Sequence, residues 1–359
     1  MAKYSRIAAM VAQQVERGDY RLRRFPSISQ LAKELKINPR TISKAVDELV
    51  QQGILHRDAT GRAAISSHVH ARDMHIALLH PAFVSPLYTR AQEELRRLTD
   101  ARTWQLKPIA YTHWYDPVIN DAINGFDGVF FIPPSEDIPD HALAMMKASP
   151  HPLVVLDQDV SVHGIPSLQF NAPAAVAAVL DTLLEAGHRC MVCLSTQPND
   201  PVIRERIAQW ALWMRMNKVD GRLVDRHVKP TENALECAYV TVCQLLESDD
   251  LPETAVFCTT GAAAVGAMRA LIDHGRQPGR DVAVCAADDD AGRAQFMSPR
   301  LTCLQDPDWS AYLEVCLDWI AGGEWIGPRL IHPHRMSVFL GESTSLYQPK
   351  AAKTPGPDV

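Results

Sequence analysis

The sequence predicts an α/β protein in two parts: an N-terminal winged helix-turn-helix, followed by a two-lobed domain built on parallel sheets. Three observations predict it. Three short amphipathic segments, the second and third with clear caps, fill the first 53 residues, and from residue 75 onward apolar runs alternate with helical stripes. Charge is divided in the same way. Residues 1–70 hold 12 Lys and Arg against 6 Asp and Glu, a balance of +6 in a chain of net charge −6, which leaves −12 on the remainder. A basic N-terminal part beside an acidic remainder makes nucleic acid the natural partner of the N-terminal part alone.

The elements follow in order. "YSRIAAMVAQQVERG" places Ile7, Met10, Val11 and Val15 on one side of a first helix. "PSISQLAKELK" carries Ser27 and Gln30 at capping-box spacing, with Leu31, Ala32 and Leu35 as the buried stripe of a second. In "INPRTISKAVDELVQQG", Asn38 is an N-cap, Pro39 suits the first helical position and Gly53 suits the C′ position. Ile42, Ala45, Val46 and Leu49 give that third helix its core face, leaving Arg40, Ser43, Lys44 and Asp47 to the other. A tight turn between the second and third helices matches a helix-turn-helix, whose third helix enters the major groove of double-stranded DNA. "ILHRDATGRAAI" reads as two short strands around a polar turn containing Gly61, a wing carrying Arg57 and Arg62. The candidate DNA contacts are Ser27, Gln30, Asn38, Arg40, Thr41, Ser43, Lys44, Arg57 and Arg62. For the cations, phosphate binding needs only charge and reach.

The winged part is expected over 1–67, a linker over 68–73, the larger domain over 74–345 and a disordered, Pro-rich tail over 346–359. The stretch "SSHVHARD", residues 66–73, which runs from the end of the winged part through the linker, has no apolar stripe, so no minor-groove insertion is expected of it. In the larger domain "HIALLH", "WQLKPIA", "FDGVFFI" and "PLVVLD" read as strands of a first series. A second series begins at "PSLQF" and runs through "CMVCLS", the helix around Trp210, "ETAVFC", "AAVGAMRALIDHG" and "DVAVCAADDD". Ligands of open α/β sheets bind beyond the carboxyl ends of the strands, so a cleft between two lobes is the expected site.

Several function classes find no support. No apolar run reaches the roughly 18 residues of a membrane span and no signal peptide opens the chain, which points to the cytoplasm and to no membrane partner. All eight cysteines lie between 190 and 316. The one C-x-x-C, Cys190 and Cys193, sits in an apolar run with no second pair to complete a zinc site, so these are expected as buried thiols and no metal is expected. There is no P-loop, G-x-S-x-G, H-E-x-x-H or G-x-G-x-x-G, so neither a cofactor nor a catalytic residue is expected and the chain reads as a non-enzyme.

The pieces "Y..IA...A..V..GDY", "FPS..QLAKEL" and "INPRTISKAVDELVQQGIL" resemble the winged-helix domain of GntR-type transcription regulators over about 65 residues, with Ser29 and Pro39 where that family usually has Arg. "FDGVFFIPPS", "PLVVLDQDV", "LLEAGHRCMVCLS", "RERIAQW", "TAVFCTTGAAAVGAMRALIDHG", "DVAVCAADDD" and "PRLTCLQD" resemble, in order and spacing, the LacI/GalR-type effector domain, which shares the periplasmic-binding-protein fold. That resemblance implies an effector pocket at Asp157, Phe170, Arg206 and Asp288, edged by Phe83, Ser85, Thr260 and Gln305. Thr260 and Gly261 stand where the family usually has Asn-Asp, which removes an amide and a carboxylate. Together the two resemblances imply a ligand-responsive transcription regulator, a repressor of carbohydrate-related genes. It would answer to a sugar, sugar phosphate or sugar acid and work as a homodimer on a two-fold operator. The Ala-rich segments "AAVAAVLDTLL" and "AAAVGAMRAL" are the expected contributors to the dimer contact. Two other readings stay open: a ligand-blind dimerisation scaffold behind the DNA-binding part, and, with less support, an enzyme domain.

Overall fold

The computed structural model describes residues 3–16, 20, 25–58, 61–65, 74–83, 85–289, 292–322 and 324–344. The expected linker and tail lie outside these residues. The chain divides into two compact units: Met1–Pro134, Ile138–Leu168 and Trp309–Ile331 form one, Ser135–Asp137, Gln169–Asp308 and His332–Val359 the other.

The N-terminal elements are α1 (Lys3–Glu16), α2 (Ile28–Leu35), α3 (Pro39–Gln51) and the antiparallel pair β1 (Leu55–Arg57) and β2 (Ala63–Ile65). They share a core of Ile7, Ala8, Val11, Val15, Leu31, Ile42, Val46 and Leu49. Each of the Ile, Val and Leu side chains contributes about 1.5–3 kcal/mol by leaving water. Met10 is 38 % exposed, against the expectation. The buried stripe runs through Ala8, one turn from Val11 on the core side, and Met10 falls on its flank. The caps form as the sequence predicts. Ser27 and Gln30 close a capping box, Asn38 accepts from the Arg40 amide at 2.9 Å, and Gly53 takes φ 77°. That left-handed φ is one that glycine reaches without strain.

Unit one holds the parallel strands β3 (His75–Pro81), β4 (Gln105–Tyr111), β5 (Gly128–Phe131), β6 (Leu153–Leu156) and β7 (Ser167–Leu168). α4 (Pro86–Ala101), α5 (Pro117–Gly125) and α6 (Asp140–Lys147) connect them. Strands β5 and β6 are buried on both faces, which is why they read as unbroken apolar runs.

Unit two holds α7 (Val176–Glu185), β8 (Cys190–Ser195), α8 (Pro201–Asn217), β9 (Asp220–Asp225), α9 (Ala234–Glu247), β10 (Ala255–Cys258), α10 (Gly261–Asp273), β11 (Ala283–Ala286) and β12 (Thr302–Leu304). The chain then returns to unit one for α11 (Ser310–Ile320) and β13 (Leu330–Ile331), and closes unit two with β14 (Val338–Phe339). The strand orders are β13-β7-β6-β5-β3-β4, parallel throughout, and β14-β12-β11-β10-β8-β9, parallel except for β14.

Two further expectations are corrected. "PSLQF" does not open the second series: β7 pairs with β6 and belongs to the first sheet. The small residues of "AAAVGAMRAL" face inward. Ala263, Ala264, Gly266, Ala267 and Ala270 are buried, and a Cβ at Gly266 would stand 2.2 Å from the Leu235 carbonyl oxygen, so this face packs α10 against α9 within the chain. Cys193 is a buried thiol as expected, but Cys190 is only half-buried. Burial likewise pushes the Cys303 and Cys316 thiols up to about 12. Among the described residues no helix is long and apolar enough to cross a membrane.

Candidate functional site

In unit two, β8, β10 and β11 run side by side, with Cys258 paired to Leu194 on one side and Ala286 on the other. Their carboxyl ends release three polar residues at the same offset: Gln197, Thr260 and Asp288 each follow the last strand residue by two. Arg206, on α8, reaches this edge. Its Nη1 donates to Asp288 Oδ2 at 2.8 Å and to the Thr259 carbonyl at 2.7 Å. Asp288 Oδ1 accepts the Gly261 amide at 2.7 Å. Thr260 caps α10, its Oγ1 accepting from the Ala263 amide at 3.3 Å and from Gln197 Nε2 at 2.8 Å. Arg206 is 7 % exposed. Removing Asp288 would strand a buried cation, at a cost of about 3–5 kcal/mol.

Asp200 starts α8, accepting the Ile203 amide at 2.8 Å. Burial holds its carboxyl above the usual range, against the opposing pull of that amide, Arg206 and Arg204. Arg204 donates to the Asn199 carbonyl at 2.8 Å and pairs with Asp137. The edge therefore presents carboxamide, hydroxyl, guanidinium and carboxylate groups whose charges are matched. Such a set donates to and accepts from hydroxyl groups at once.

The other expected effector residues are divided between the two units. Phe170 and Gln305 belong to unit two: Phe170 is 2 % exposed and offers almost no open ring surface, while Gln305 is exposed beyond β12. Phe83, Ser85 and Asp157 belong to unit one, past the carboxyl ends of β3 and β6. Phe83 lies 5.4 Å from the Tyr88 ring, and Ser85 precedes α4 without capping it through its side chain. Asp157 takes φ 70° and its amide donates to the Leu168 carbonyl at 2.8 Å. The structure thus joins Arg206, Thr260 and Asp288, and adds Gln197 and Asp200, which the sequence reading did not single out. The shared two-residue offset past the strand ends is the signal that could have found Gln197.

The candidate DNA contacts also divide. Arg40, Lys44 and Arg62 are exposed, and Thr41 and Ser43 are half-buried. Among the described residues, Arg40 and Lys44 make no side-chain hydrogen bond or ion pair. Ser27, Gln30 and Asn38 are engaged in capping. Arg57 donates to Asp47 at 2.6 Å and to the Gly61 carbonyl at 3.0 Å. Its charge is therefore committed to tying the wing to α3.

Two family models match the chain, a helix-turn-helix domain at residues 19–55 and a periplasmic binding protein-like domain at residues 180–308. The probable HTH-type transcriptional repressor ExuR of Bacillus subtilis (strain 168) is 25 % identical over 191 residues, 51 % of this chain and 53 % of that protein. The chain spans about half the length of the curated relatives it matches. Among solved structures, a LacI family transcriptional regulator from Enterococcus faecium with bound ribose aligns with a TM-score of 0.62 at 17 % identity, covering 76 % of this chain and 100 % of that one. The lac repressor dimer bound to operator and the anti-inducer ONPF aligns with a TM-score of 0.62 at 18 % identity, covering 76 % and 94 %. At these identities the likeness establishes the fold, an α/β chain with two parallel-sheet lobes of the periplasmic-binding-protein kind.

Proposed function

We propose that this chain, which joins a helix-turn-helix domain to a periplasmic-binding-protein-like domain, is a ligand-responsive, DNA-binding transcription regulator. It acts as a repressor of carbohydrate-related genes and works in the cytoplasm. Its reader is a GntR-type winged helix, in keeping with the antiparallel pair β1 and β2 behind α3. The reader is expected over 1–67 and the sensor over 74–345. The partners are a double-stranded operator, a second copy of the chain and a sugar, sugar phosphate or sugar acid.

One observation carries the reading. The same chain presents an open cationic helix face at Arg40 and Lys44, and a charge-matched polar edge at Arg206, Asp288 and Thr260 where parallel strands end. The first fits phosphate and base edges, the second a small polar molecule. The ligand can alter DNA affinity by no more than its own preference between two states of the protein. Fluorescence anisotropy of the full chain on duplexes from upstream of its own gene, with and without a sugar panel, tests this. Salt-dependent, sequence-selective binding that a sugar shifts supports the reading. Absence of DNA binding overturns it, and DNA binding that no panel member shifts leaves the larger part as a ligand-blind scaffold.

A further inference from the structure

We infer that Gln197 is a ligand-contacting, specificity-determining residue, and that Gln197 and Thr260 together select an uncharged polyhydroxyl ligand over phosphorylated or acidic ones. The inference rests on the sensor reading above and narrows it.

Charge matching is the first ground. The cation of this edge, Arg206, is held by Asp288 at 2.8 Å, and Arg204 is paired with Asp137. The amino end of α10, where an anion would ordinarily sit, already gives its Gly261 amide to Asp288. A phosphate carrying about −1.5 to −2 would bring its charge against the Asp288 carboxylate that already holds Arg206. An uncharged ligand enters without that repulsion.

Hydrogen-bond complementarity is the second. Thr260 Oγ1 accepts from both Gln197 Nε2 and the Ala263 amide, so its hydroxyl proton is directed elsewhere. Gln197 donates through Nε2, and its carbonyl oxygen has no partner among the described residues. The pair thus offers one donor and one acceptor side by side. A sugar hydroxyl both donates and accepts and satisfies the two, whereas phosphate and carboxylate oxygens only accept and would meet the Gln197 carbonyl as a like dipole. Thr260 is fixed beside the Arg206–Asp288 pair through the contacts of its two chain neighbours, Thr259 and Gly261. Gln197 therefore supplies, from the β8 end, an amide that the Thr260–Gly261 pair lacks.

The test uses the full chain with a panel of neutral sugars and polyols, their phosphates, and uronic and aldonic acids. Thermal shift identifies binders and calorimetry measures them, in wild type, Gln197→Ala, Gln197→Lys and Arg206→Ala. A neutral compound should bind wild type while its phosphate and acid forms do not. Gln197→Ala should weaken that compound about tenfold, the value of one or two hydrogen bonds, with the melting point of the unliganded protein unchanged. Gln197→Lys should gain binding of a sugar phosphate, a switch that a purely structural side chain would not produce. A phosphate or acid as the wild-type binder overturns the ligand class. Neutral binding that survives Gln197→Ala but not Arg206→Ala removes Gln197 and leaves the sensor reading standing. No binding by any compound overturns the sensor reading and this inference with it.

Discussion

Arg57, the last residue of β1, donates to Asp47 on α3 across 2.6 Å, although both side chains are about half exposed. The bond spans the turn from α3 into the wing and places an acid on the face that otherwise presents Arg40 and Lys44. Asp47 therefore both ties the wing to α3 and lowers the positive charge of that face.

Asp47→Asn should raise affinity for non-specific DNA and steepen the plot of log affinity against log salt by about one unit, because Arg57 becomes available to a phosphate. Stability should change by less than about 1 kcal/mol, as for other exposed pairs. Titrations at several salt concentrations check both. An unchanged slope would mean that Arg57 does not reach the backbone.

Arg40→Ala and Lys44→Ala should each weaken DNA binding with the melting temperature unchanged, because their exposed side chains leave α3 opposite Ile42 and Val46. A residue that touches only phosphate should lower specific and non-specific affinity alike and reduce the salt slope by about one unit. Unaltered affinity in both variants would exclude α3 as the reader.

Gly266→Val should destabilise the protein by about 1–3 kcal/mol through overpacking, since even a Cβ would meet the Leu235 carbonyl at 2.2 Å. Chemical denaturation monitored by tryptophan fluorescence reads the loss. A neutral result would mean that α9 and α10 can separate freely.

Glu342 accepts from the Arg300 side chain and amide, which lowers its carboxyl from 4.5 to about 2. A carboxyl lowered on folding adds stability that is present above its unfolded value and is lost as pH falls through the folded one. This contribution should therefore fade between about pH 4.5 and 2. Carboxyl-resolved NMR titration should find Glu342 ionised at pH 3.5 in wild type and its midpoint moved back toward 4.5 in Arg300→Gln.

The winged part was legible almost residue by residue because its signals are local: caps, a proline at N1 and stripes within one helix. Met10 went astray because a stripe four residues wide has flanks, and only the packed neighbours decide which flank is wet. Tertiary pairing defeated the reading elsewhere. β7 is two residues long and joins the first sheet by pairing with β6, which no periodicity announces. The small face of α10 packs on α9, a pairing that no local pattern announces, and β9, an edge strand with Asp220, Leu223 and Asp225 exposed, lacks the apolar run of an inner strand. Arg206 and Asp288 came from family resemblance, and their bond spans 82 positions. Gln197 escaped because its partner Thr260 lies 63 positions away and the resemblance assigns nothing at its place.

The most direct measurement is the DNA affinity of wild type and Arg206→Ala, taken by anisotropy on the same operator duplex across a titration of whichever sugar shifts the wild-type melting point. A ligand-responsive regulator whose sensor edge includes Arg206 gives equal affinities for the two proteins without sugar, and a sugar-dependent change of tenfold or more in wild type alone. Equal responses in both proteins, or wild-type binding that no sugar alters, would contradict it.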